Sequence, residues 1–112
     1  VTGTRARVAA ALAPAFVHVI AYPRDVDQVQ DPTAVVVVES VDPPSVACPA
    51  PVVTLSVWVV TPLTEPGPAD DAADTLLDAA LSALTGAGIT WTTAERAVWR
   101  DRNPAYRVTI EI

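Results

Sequence analysis

The segment Val52–Thr61 constrains this chain more than any other, because apolar residues alternate along it without a break. Val53, Leu55, Val57 and Val59 fall on one side of an extended chain, and Thr54, Ser56 and Trp58 on the other. That two-residue period belongs to a β-strand, and its apolar face has to be covered by a second layer. The next periodic segment can supply it. Asp70–Leu84 places Ala73, Leu76, Leu77, Ala80, Leu81 and Leu84 at helical spacing, forming one apolar stripe. Between the two, Pro62–Ala69 reads as a turn containing Pro62, Pro66 and Pro68. Pro68 lies near the helix start, where its missing N–H does little harm, and Asp70, Asp71 and Asp74 load the positive end of the dipole. Gly86 and Gly88 are expected to supply the left-handed cap and the exit.

The remaining elements follow from the same signals. Thr4–Ala13 reads as a short helix with Arg5, Val8 and Leu12 at helical spacing, stopped by Pro14. Ala15–Tyr22 reads as a strand closed by Pro23, and Arg24–Pro32 as a polar, acidic loop. Thr33–Val41 holds four consecutive valines and is expected to be a strand buried on both faces. Asp42–Pro51 contains four prolines and should be irregular, since proline cannot donate to a ladder. Ile89–Arg100 reads as a strand bulged or bent near Thr92–Ala94, followed by a turn at Asp101–Pro104. Finally Tyr106, Val108, Ile110 and Ile112 alternate with Arg107, Thr109 and Glu111, a strand with one core face. The expected class is α+β: a mostly antiparallel sheet of about five strands, two helices on one face, and the order α-β-β-β-α-β-β. Connections among the first three strands look too short for parallel crossovers.

At 112 residues the chain is expected to form one domain, 1–112, burying roughly two-thirds of its unfolded surface. The longest apolar run, Val8–Ala13, is far short of the ~20 residues of a membrane span, so no membrane partner is expected. No secretory leader is recognisable. With Val at position 1 and no Met anywhere, a longer translated chain is expected. The 13 acidic residues outnumber the 7 basic ones, all arginine, and the net charge of −6 disfavours phosphate backbones. Cys48 is the only cysteine, which excludes an intrachain disulfide and suits a reducing compartment.

Chemistry is sparse. Asp70-Asp71-Ala72-Ala73-Asp74 spells the DDxxD pattern of magnesium-dependent prenyl transfer, but the chain is short and has no second acidic cluster, so dipole loading is the expected role. Asp25, Asp27 and Asp31 are spaced faintly like a calcium loop, yet Gln30 and Val36 stand where glycine and glutamate are required. His18 is the only histidine and is expected to be structural; a nucleophilic pair with Cys48 has no flanking signature. No enzyme activity, metal or cofactor is therefore expected. Arg96, Arg100, Arg102 and Arg107 lie with Trp99 and Tyr106 in the one basic–aromatic concentration. In an acidic chain these arginines are expected to pair with acids, here or in another subunit, before they bind single-stranded nucleic acid.

A short N-terminal helix precedes a strand ending in Tyr22-Pro23, then the valine-rich Ala34–Val38 and the long strand Val52–Val60. Ala72–Asp78 follows on a helix, then Ala94-Glu95-Arg96 and the terminal Tyr106–Ile110. This sequence of features resembles the tail terminator (minor tail, tail completion) proteins of long-tailed phages. The resemblance covers nearly the whole chain and is one of order and texture, with no signature motif. It implies a virion protein, assembled in the host cytoplasm, that caps the tail tube as a hexameric ring at the head–tail interface. Its partners would be tail tube protein and a head-completion or neck connector protein, with DNA passing through the bore without sequence-specific binding. Proline-stiffened loops and opposite charges on different faces suit head-to-tail contacts around such a ring. Arg24, Asp25, Asp27, Arg96, Arg100 and Arg102 are the candidate contact residues. A neck connector, or a small-molecule-binding regulatory α+β domain, fits the same composition.

Overall fold

The computed structural model describes residues 2–16, 18–20, 31–43, 51–62, 65, 67–99 and 103–112. The elements are α1 (Thr2–Leu12), β1 (His18–Ile20), β2 (Thr33–Asp42), β3 (Val52–Val60), α2 (Pro68–Gly86), β4 (Trp91–Trp99) and β5 (Asn103–Glu111). The chain is α+β: β2, β3, β5 and β4 form an antiparallel sheet, with two helices and a three-residue strand β1 laid along β2. The spatial order is β1-β2-β3-β5-β4.

Alternation in β3 sorts its side chains as the sequence requires. Val53, Leu55, Val57 and Val59 join Ala34 and Val36 of β2 and Val108 and Ile110 of β5 in the main core. Val8 and Leu12 of α1, Phe16, and Ala80 and Leu84 of α2 close that core from above, so both helices cover one face of the sheet. On the other face Val35, Val60, Trp99 and Ala105 form a smaller buried cluster with Val37 and Trp58 against it. There the Trp58 and Trp99 rings meet edge to face at 5.2 Å and 62°. They reach each other across β5, where the residue paired with both Val60 and Ala97 is the small Ala105.

The end of α2 shows why glycine is placed where it is. Gly88 has φ +75, and Gly88 N–H donates to Thr85 O at 3.1 Å while Ile89 N–H donates to Leu84 O at 2.9 Å. These are the paired bonds of a Schellman stop, sealed by contact between buried Leu84 and Ile89. Gly86 lies inside the helix without a positive φ, so the left-handed cap falls to Gly88 alone. At the other end Gly67, φ 86, precedes Pro68 at the start of the helix.

Several expectations are corrected. The helix begins at Pro68, two residues before Asp70, so Asp74 lies beyond the first turn. Its wholly buried residues are Ala69, Ala73, Ala80 and Leu84, while Leu76, Leu77 and Leu81 pack at the margin of the core. β1 pairs in parallel with β2, His18 opposite Thr33 through Ile20 opposite Val35. Because β1 is only three residues long, residues 21–32 separate the strands, and a crossover of about a dozen residues suffices. Of the expected Ala15–Tyr22 strand, His18–Ile20 is strand, Ala15 is in a turn and Phe16 precedes the strand, while Val17, Ala21 and Tyr22 lie outside the described residues. β2 is buried on both faces only from Thr33 to Val36 and is exposed from Glu39 to Asp42, after an irregularity between Val38 and Ser40. β5 starts at Asn103, not after Pro104; proline is tolerated near the start of a strand, and Asn103 Nδ2 donates to Thr61 O at 3.0 Å. The irregularity expected in β4 near Thr92–Ala94 is present, between Trp91 and Thr93.

Candidate assembly surface

The arginine–aromatic concentration is assembled from β4, β5 and the front of α2. Arg96 pairs with Tyr106 across β4 and β5, and Tyr106 pairs with Val59, which puts both side chains on the helix-bearing face. Asp70 and Asp74, four residues apart on one side of α2, meet them. Arg96 Nη2 donates to Asp70 Oδ1 in an ion pair, and Tyr106 Oη donates to Asp74 Oδ1 at 2.6 Å. The two side chains of the ion pair are 54% and 44% exposed, so solvent screening limits it to about 0–1 kcal/mol. The hydrogen bond to Asp74, then desolvation and the Asp74 charge, hold the Tyr106 phenol above its ordinary value, with Arg96 opposing. On the far face Arg107 Nη2 donates to Glu95 Oε2 at 3.1 Å.

Two of the three DDxxD carboxylates therefore tie α2 to the sheet. Asp71 is exposed, and its backbone oxygen accepts from Thr75 Oγ1 at 3.0 Å. Among the described residues no three His, Cys, Asp or Glu side chains gather as a metal site. Of the candidate contact residues the structure places Arg96, whose partner is in its own chain; Arg24, Asp25, Asp27, Arg100 and Arg102 lie outside the described residues. Cys48 lies outside them too, and with it the Cys48–His18 pair; of His18 the structure gives its backbone place in β1. Among the described residues no helix is long and apolar enough to cross a membrane.

Sequence reasoning missed the exposure of β4. Among the described residues β4 bonds to β5 and to no other strand, and most of its side chains are exposed. Val98 is 56% and Trp91 37% exposed, and the other large exposed apolar residue among the described ones, Val41, lies at the end of β2. The sequence signal was present in the charged pair Glu95-Arg96 at the middle of the strand, a common device of edge strands. Open clefts lie beside the two ends of α2. One of about 500 Å³ lies between Pro32, Pro62, Asp71, Ala72 and Leu76; another of about 270 Å³ lies where Trp91 meets the end of α2. Comparison with protein-family models, with curated proteins and with solved structures found no match.

Proposed function

We propose that this chain is a structural assembly protein, a tail terminator that caps the phage tail tube as a sixfold ring and forms the tail side of the head–tail joint. The observation that carries the assembly part is β4, a nine-residue strand that among the described residues pairs on one side only and exposes Trp91 and Val98. Such an edge is a template that another polypeptide completes. The phage part is supported by the sequence resemblance, whose layout is a five-stranded sheet with two helices on one face in the order α-β-β-β-α-β-β. Arg96 keeps more than half its side chain in solvent while paired with Asp70, leaving it able to reach an acid of the adjacent subunit or the tube. Arg24, Asp25, Asp27, Arg100 and Arg102 are the other proposed contacts. The protein works through position, without catalysis or cofactor, in the virion after assembly in the host cytoplasm. Its net charge of −6 favours a bore that repels DNA and lets it slide. A neck connector would use the same ring and differ in the ring it docks against.

A second reading, a small-molecule-binding regulatory domain, is favoured by the ~500 Å³ cleft, whose size and apolar Pro32, Pro62, Ala72 and Leu76 lining suit a ligand. Light scattering on the eluting protein, with negative-stain microscopy of tube protein grown in its presence, separates the readings. Rings in solution, and tubes of limited length bearing a disc at one end, are expected. A monomer at high concentration that leaves tube growth unchanged refutes the tail reading.

A further inference from the structure

We infer that successive copies join edge to edge, β4 of one copy pairing antiparallel with the outer half of β2 of the next, so that one sheet runs through the assembly. This rests on the ring reading above and names the surfaces that build it. The sheet has two open edges among the described residues. β4 forms one, and at the other β1 occupies only Thr33–Val35, leaving the outer side of residues 36–42 of β2 unpaired.

Three observations bring these edges together. The large exposed apolar residues among the described ones lie on these edges: Val41 on β2, Trp91 and Val98 on β4. All three share the helix-bearing face, since Val41 pairs with core Val53, Trp91 with core Ile110, and Val98 lies two residues from Arg96. Joining the edges therefore extends the main core instead of stranding three side chains in water. Strand direction agrees as well. β2, β3, β5 and β4 are antiparallel in turn, so β4 runs opposite to β2, and a copy set beside its neighbour without being flipped forms an antiparallel ladder. Its helices then stay on the same face. Charge is compatible on the helix-bearing face: the outer half of β2 carries Glu39 and Asp42 and no base, while β4 presents Arg96 on that face and Glu95, paired with Arg107, on the other. The competing two-fold pairing of β4 with itself, at full overlap, sets Glu95 opposite Glu95, and like charges directly opposite are destabilising. A heterologous contact of this kind leaves one edge free at each end until the ring closes.

The test uses Val41→Lys and Val98→Lys, both at exposed positions, followed by light scattering and circular dichroism. Each variant alone should stay monomeric with native dichroism. An equimolar mixture should form a dimer and stop, because one copy keeps an intact β4 and the other an intact β2 edge. A Val41→Lys chain that assembles like the unsubstituted one overturns the inference, as does a natively folded mixture that stays monomeric. If both variants form rings, the edges are not the contact and the ring reading stands without this inference; if the unsubstituted chain is monomeric, both fall. Hydrogen exchange on the unsubstituted assembly provides the second measurement. Amides of β4 and of residues 36–42 should gain protection over the dilute monomer, and equal exchange in the two states overturns the inference without any variant.

Discussion

Leu84 sits fully buried in α2, touches the core shared by both helices and the sheet, and closes the Schellman stop against Ile89. Leu84→Ala removes three carbons from that position, about 2.4 kcal/mol of transfer free energy at ~0.8 kcal/mol per buried carbon. The surrounding β-branched residues of β3 and β5 are held by their ladders and cannot collapse fully, so a cavity term raises the cost to roughly 3–5 kcal/mol. For a chain of 112 residues this corresponds to a drop of roughly 12–20 °C in Tm. Leu77→Ala is the internal control. Leu77 packs at the core margin and stays half-buried, so its loss should cost only ~1–2 kcal/mol. Urea unfolding of the two variants, with the denaturant slope unchanged, measures the difference. Equal costs at Leu84 and Leu77, or a Leu84 cost below about 1 kcal/mol, would refute the assigned helix face.

Two further outcomes follow from local geometry. Gly88→Ala should destabilise by about 1–2 kcal/mol through the φ of +75 alone, since an added Cβ meets nothing within 4 Å. Gly86→Ala, with equal space and no positive φ, should stabilise by a few tenths to about 1 kcal/mol, and thermal melts of the pair must move in opposite directions. Tyr106 should ionise above the ordinary tyrosine value of 10.0 in ultraviolet titration, and Asp74→Asn should bring it back towards that value. Because the folded-state value is the higher one, its contribution is present below pH 10.0 and is lost as pH rises through the folded value. Tyr106→Phe should remove that part of the alkaline loss of stability, and an unchanged alkaline profile would count against the Asp74 bond.

Local periodicity made β3 and α2 legible, because Val53, Leu55, Val57 and Val59 can share a face only in a strand, and Ala73, Ala80 and Leu84 only in a helix. The tail of β2 was misread because four valines say nothing of what lies beside them, and the strand leaves the shelter of the helices after Val38. The parallel seat of β1 depends on which edge of the sheet is free, a property of the assembled chain and not of residues 18–20. Among the candidate contacts, Arg96 was identifiable as a paired arginine, but its partner was not. Asp70 is brought to it by the docking of α2 on β3 and β5, across 26 positions of sequence. The same docking turns Asp74, read as part of the dipole, into an acceptor for Tyr106.

The Trp58–Trp99 contact also gives the molecule an optical gauge. One indole rides on β3 and the other on β4, with β5 between them, so the rings approach to 5.2 Å only when both ladders are closed. Two indoles held at that separation and at 62° should couple their strong far-ultraviolet transition dipoles and give a signed couplet that disappears when β4 peels away. Trp91, near the opposite end of the same strand, is 37% exposed and should fluoresce as a solvent-sensitive emitter. Detachment of the edge strand can therefore be followed in real time, without a label, and separately from melting of the helical layer.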